Sequence, residues 1–128
     1  DTDTCVFALR RSDAVHERAN AVDPESMAIS VITLAELRYG ACCSSKPEAN
    51  HGVIDDFVSG LFVLGLDDEI ARIFGELKAQ LRERGVLIDD FDLLIAATAL
   101  RYRLTLVTHN LKHFCHINGL QVEDWMSA

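Results

Sequence analysis

Acidic residues recur in this chain where ordinary surface charge has no reason to gather. The sequence opens with "DTDT", setting Asp1 and Asp3 two residues apart ahead of the apolar stretch "CVFALRR". Glu36 interrupts "VITLAEL" just after a β-branched run, and Asp89, Asp90 and Asp92 crowd into "DDFDLLIAATAL". Thr108 closes "LTLVT", and Asn110 stands two residues beyond it. Carboxylates brought to one place repel each other and need a cation between them. Oxygen donors without paired His or Cys suit Mg²⁺ or Mn²⁺ rather than Zn²⁺. Such an ion holds a phosphate oxygen, activates a water as nucleophile and neutralises charge on the leaving oxygen. The chemistry implied is hydrolysis of a phosphodiester or phosphomonoester.

Each acid also has a purely structural explanation. Asp67 and Asp68 illustrate it, because helix N-termini attract acids for capping and dipole reasons alone. Asp89 and Asp90 fit that description equally well. Glu36 is harder to dismiss, since it interrupts "VITLAEL" one turn after a buried strand. The functional reading therefore depends on whether the acids meet in space.

The elements that would bring them together alternate. "MAISVIT" (27–33) reads as a strand buried on both faces, followed at helical spacing by "LAELRYGACCS", which closes near Gly40 or soon after. On this reading Glu36 lies three residues past the strand, in the first helical turn. "KPEANHGVIDDFVSGL" is a second helix with Pro47 in its first turn, and "FVLGL" a short strand. "DDEIARIFGELKAQLRERG" is the clearest helix, with Asp67 and Asp68 at its start, Arg82 and Arg84 in its last turn and Gly85 as the stop. An Ala-rich helix begins at "DDFD". "LTLVT" is a buried strand, "LKHF" a turn or short helix, and "LQVEDW" the last strand. Alternation of this kind implies βαβ units, a central parallel sheet and helices on both sides. Ligands of such sheets bind beyond the carboxyl ends of the strands. Asp1 and Asp3, Glu36, and Thr108 with Asn110 all leave a strand, so they share that edge. The acids before "LLIAATAL" join them if their helix starts there too.

With 128 residues, 49% hydrophobic and 25% charged, the chain is expected to form one domain (1–128), lacking only the extreme start of its first strand. The net charge of −8 argues against a non-specific nucleic-acid binder, though not against a nuclease whose site is itself acidic. Arg10, Arg11, Arg38, Arg101, Arg103 and Lys112 are candidates for a local basic rim, or plain surface charge. No apolar run reaches the roughly 20 residues that span a bilayer, and no signal peptide is visible, so a cytoplasmic protein is expected. Cys5, Cys42, Cys43 and Cys115 show no disulfide spacing and read as reduced, mostly buried side chains.

In this order and spacing, "DTD", "ISVITLAELRYGA", "DDFDLLIAATAL" and "LTLVTHNLKHFCHINGLQVEDW" resemble the PIN-domain ribonucleases, and more closely the VapC toxins of type II toxin–antitoxin modules. The likeness covers most of the chain. It implies a three-layer α/β/α sandwich with a central parallel sheet, acting as a Mg²⁺-dependent (or Mn²⁺-dependent) endoribonuclease. It further implies a homodimer, a VapB-like antitoxin whose C-terminal segment wraps the toxin, and structured RNA, especially tRNA, as substrate. By position, the family's catalytic metal ligands correspond to Asp1, Glu36 and Asp92, with Glu36 or Asp92 also available to orient the attacking water. Asp3, Thr108 and Asp90 would support the site. The family's fourth position, often Asp, is Asn110 here, which puts a second metal in doubt. Products with 5′-phosphate and 3′-hydroxyl ends would follow. Phe7, Leu9, Val53 and Phe57 either line the antitoxin groove or belong to the core.

Rival readings of the same letters are weaker. "DTDTC" approximates the nucleophile motif of haloacid-dehalogenase-type phosphatases, but that family's acidic pair follows the Thr-ended strand, whereas "DDFD" precedes it. Cys5 to Arg11 spells a tyrosine-phosphatase loop without the Gly such a loop uses to open its amides. His109, His113, Cys115 and His116 invite a zinc site but lack a second ligand pair, and read as exposed turn residues. His16 and His51 stand isolated. A degenerate PIN-like module that only binds a partner is the non-enzymatic alternative.

Overall fold

The structure is a computed structural model, and it describes Asp1, Glu17 and residues 27–125. Within these, four strands alternate with five helices: β1 (Ala28–Ser30), α1 (Val31–Cys42), α2 (Pro47–Val58), β2 (Phe62–Leu64), α3 (Asp68–Glu83), α4 (Asp90–Arg101), β3 (Leu106–Val107), α5 (Leu111–Phe114) and β4 (Val122–Glu123). The strands form two parallel pairs. β1 runs beside β2 with Ile29 opposite Val63, and β3 beside β4 with Leu106 opposite Val122. The expected α/β class with parallel strands is what is found.

The first boundary differs from expectation. β1 stops at Ser30 rather than continuing through Thr33, because the Ser30 side chain accepts a hydrogen bond from the Ile32 amide at 3.0 Å and caps a helix there. A cap satisfies an amide that a helix start leaves orphaned, and here it outweighs the strand preference of Val31, Ile32 and Thr33. Glu36 consequently lies in the second helical turn, not the first. The strands 104–108 and 120–125 are likewise shorter than read, reduced to β3 and β4.

The other starts follow local chemistry. Pro47 occupies the first turn of α2, where a missing amide hydrogen costs nothing. The Asp67 carboxylate caps α3 by accepting from the Ile70 amide at 2.8 Å, and Asp89 caps α4 by accepting from the Phe91 amide at 3.1 Å. Gly85 follows α3 at φ +70°, a left-handed backbone that a β-carbon disfavours. α4 is buried along Leu93 and from Ile95 through Ala99, and its alanines admit the close approach of α3. Ile70, Leu77 and Leu81 of α3 pack with Leu93, Ala96, Leu106, Phe114 and Ile117 into the larger core. A second core of Ile29, Leu37, Ala41 and Ile54 joins β1, α1 and α2. Ile32 reaches from α1 to the larger core, and α1 packs on α4.

The cysteines depart from expectation. Cys42, Cys43 and Cys115 are free thiols, as read, but exposed rather than buried. The first two end α1 at its cap and the third caps α5, where the chain turns outward to solvent. Cys5 lies outside the described residues, as do Asp3, Phe7, Leu9, Arg10, Arg11 and His16. Among the described residues no helix is long and apolar enough to cross a membrane.

Candidate functional site

Backbone polarity of β3 fixes what flanks it. The Leu106 and Thr108 amides donate to the carbonyls of Gln121 and Glu123, both at 2.9 Å, so these residues face β4. The intervening residue turns its backbone the opposite way. On that flank the Val107 carbonyl accepts a hydrogen bond from the backbone nitrogen of Asp1. β3 is thus held from both sides, and residue 1 abuts it at its carboxyl end.

Thr108 converts this proximity into a fixed carboxylate. Its side chain is fully buried, and its hydroxyl donates to Asp1 Oδ2 at 2.6 Å. The Thr108 hydroxyl oxygen in turn accepts from the Asn110 amide at 2.9 Å. A buried hydroxyl that donates once and accepts once is satisfied, and a charged acceptor makes the first bond a strong one. Asn110 in turn donates from Nδ2 to His113 Nδ1 at 2.8 Å. Asp1, Thr108 and Asn110, expected at one edge from their positions after strands, are joined there by direct hydrogen bonds.

Glu36 and Asp92 are half-buried, on α1 and in the first turn of α4. These helices pack on each other, and neither acid serves as a cap, since Ser30 and Asp89 hold those roles. Asp90 is exposed and pairs with Lys78 of α3 at 2.8 Å, which ties the start of α4 to α3. Asp3 lies outside the described residues. The donor chemistry, carboxylate oxygen throughout, fits a hard divalent ion. Among the described residues, however, no three His, Cys, Asp or Glu side chains gather closely enough to hold a metal.

Two arrangements escaped the sequence reading. Asp124, just past β4, has a side chain only 9% exposed and binds His109 Nδ1 through both oxygens, at 3.0 and 3.2 Å. "LQVEDW" reads as a strand in sequence, and the rule that chemistry follows strand ends applies to Asp124 as it does to Thr108. His51 is not isolated, for it sits between Arg38 and Cys42. The turn residues His109, His113, Cys115 and His116 are exposed, as expected. Two members of the supposed basic rim are committed to acids: Arg38 to Asp55 at 2.5 Å and Arg101 to Asp67 at 3.6 Å.

The described residues thus show an α/β fold with parallel strands, a threonine-clamped aspartate at a strand end and two half-buried acids on adjoining helices. The PIN domain model matches residues 1–120, and the chain belongs to the PIN-domain family, among its VapC-type ribonucleases. It is similar to a tRNA(fMet)-specific endonuclease VapC of Salmonella typhimurium, 40% identical over 126 residues that cover 98% of this chain and 95% of that one. It is also similar to Ribonuclease VapC2 of Rickettsia felis, 37% identical over 98% of this chain and 95% of the relative. Among solved structures it resembles VapBC2 of Rickettsia felis bound to a promoter DNA fragment, with a TM-score of 0.92 and 36% identity, covering 97% of this chain and 95% of that one. Membership of this family sets aside the phosphatase reading of "DTDTC".

Proposed function

We propose that the chain is the endoribonuclease toxin of a toxin–antitoxin pair, cleaving RNA phosphodiester bonds, with tRNA as the substrate class. The observation that carries this reading is the Thr108–Asp1 hydrogen bond, because it fixes a carboxylate at the strand edge with a buried donor that no packing need explains. The names of the similar proteins supply the substrate: one is a tRNA-specific endonuclease and others are ribonucleases. The similar complexes with an antitoxin support a VapB-like partner for this chain, and we propose a homodimeric toxin within that assembly.

PIN-domain nucleases use a divalent metal, and for this chain we propose Mg²⁺ or Mn²⁺ held by Asp1, Glu36 and Asp92. Such an ion supplies charge neutralisation at the phosphate and a reactive water. The chain's own part is positional. Thr108 orients one oxygen of Asp1 and limits its rotation. Asn110 holds the turn after β3 through Thr108 and carries no charge, which keeps the local field less negative toward a polyanionic substrate than an Asp would. Half-burial of Glu36 and Asp92 strengthens their electrostatic reach relative to acids in water.

The test is cleavage of total RNA by purified, antitoxin-free protein. Asp1→Ala, Glu36→Ala and Asp92→Asn should each abolish cleavage and leave the fold intact. Full activity in any one of them defeats that assignment. A binding module, the remaining alternative, should cleave nothing as wild type and show no Mn²⁺ uptake that Asp92→Asn removes. Sequencing RNA ends after brief expression of the toxin alone identifies the target.

A further inference from the structure

The carboxyl edge of β3 and β4 holds a pair of side chains that the clamp on Asp1 does not use. Asp124 follows β4, and its carboxylate, only 9% exposed, meets His109 Nδ1 with both oxygens at 3.0 and 3.2 Å. The ring it holds is 57% exposed. Burying a carboxylate is costly, and an ion pair with an exposed partner contributes little stability. Nor is the contact needed to join the two strand ends, since the Thr108 amide already donates to the Glu123 carbonyl at 2.9 Å. What the pair does is fix the orientation of a solvent-facing imidazole.

It also fixes the tautomer. A carboxylate only accepts, so the hydrogen lies on His109 Nδ1. In the neutral ring Nε2 is then the acceptor.

Position decides what that nitrogen can accept from. Asp1 abuts β3 on one flank and β4 lies on the other, so Asp1, Thr108 and Asp124 stand on three neighbouring segments at one edge. Adjacent segments are about 4.8 Å apart, which sets Asp124 about 10 Å across the edge from Asp1. His109 leaves β3 and turns toward the Asp124 side. The anchored ring is thereby drawn away from an ion at Asp1, yet stays within a nucleotide's length of a phosphate bound there. A sugar–phosphate backbone gives an acceptor little choice. Its phosphates carry no donor, and the ribose 2′-hydroxyl is the group that donates.

Resting on the ribonuclease reading of this edge, we propose that His109 is a specificity-determining residue: its Nε2 accepts a hydrogen bond from the 2′-hydroxyl of a nucleotide beside the scissile phosphate. Asp124 is the positioning residue behind it. The contact is blind to base identity and selects ribose over deoxyribose at one place on the strand.

The test uses the RNA that the wild-type protein cleaves, identified by its new ends and resynthesised with one 2′-deoxynucleotide at each position around the scissile bond in turn. For the wild type, one such position should slow cleavage by about 5- to 10-fold, the worth of one hydrogen bond. His109→Ala, a change at an exposed side chain, should cleave the all-ribose RNA more slowly by a similar factor. It should lose nothing further from the deoxynucleotide at that position, while the remaining positions affect both proteins alike. A merely structural role for His109 would slow every substrate and leave the position dependence in place. That result, or cleavage of the all-ribose RNA by His109→Ala at the wild-type rate, overturns the proposal, as does a wild type indifferent to every deoxynucleotide. A wild type that cleaves no RNA at all instead defeats the ribonuclease reading, before any variant is made.

Discussion

At the scale of single residues, Thr108 has the largest consequence for its size. A threonine after a buried strand is unremarkable in sequence, yet here one hydroxyl links Asp1 to the turn at Asn110. Thr108→Val keeps the shape and removes both bonds. We expect RNA cleavage to fall by about 10- to 100-fold, as is usual when the support of a ligating side chain is lost. Calorimetry should show weaker Mn²⁺ binding in parallel, and Thr108→Ser should restore both. Cleavage at the wild-type rate in Thr108→Val would mean that the clamp on Asp1 has no part in the site. Asp90 is a different case from Asp92, the proposed ligand two residues on: its partner is Lys78, and its place in the sequence did not distinguish the two.

At the scale of elements, caps decide where side chains point. Ser30 ends β1 three residues before the β-branched run does, and so carries Glu36 into the second turn of α1. Asp67 and Asp89 do the same for α3 and α4, leaving Asp92 clear of capping duty. Asp67 is tested by two substitutions. Asp67→Ala loses the acceptor for the Ile70 amide and should cost about 1 kcal/mol in urea denaturation, whereas Asp67→Asn keeps an acceptor and should cost only a fraction of that. Equal losses would assign the effect to the charge that faces Arg101 at 3.6 Å rather than to the cap. An exposed pair of that length contributes little.

At the scale of the whole molecule, the question is which apolar surface a partner covers. Phe57 packs against Ile29, Leu37, Ala41 and Ile54, so a charge there would damage the core as well as any groove. Val53, on the same helix, is 49% exposed and separates the two effects. If α2 contributes to the antitoxin groove, Val53→Asp should weaken antitoxin binding by at least tenfold, about 1.4 kcal/mol, with an unchanged melting temperature. Antitoxin affinity equal to wild type would place the groove elsewhere. Phe7 and Leu9 lie outside the described residues and add nothing to this choice.

What the sequence determined alone is what depends on neighbours in the chain: the α/β alternation, the caps at Asp67 and Asp89, the Pro47 start, the Gly85 stop, and the family through motifs in register. Periodicity and capping act over one or two turns and are legible without coordinates. The exposure of the cysteines, the His51 contacts, the burial of Asp124 under His109 and the Thr108–Asp1 bond were decided by tertiary structure. Each of these contacts joins residues between 9 and 107 positions apart, and no local rule says which of many polar groups will be left facing one another once two cores have closed.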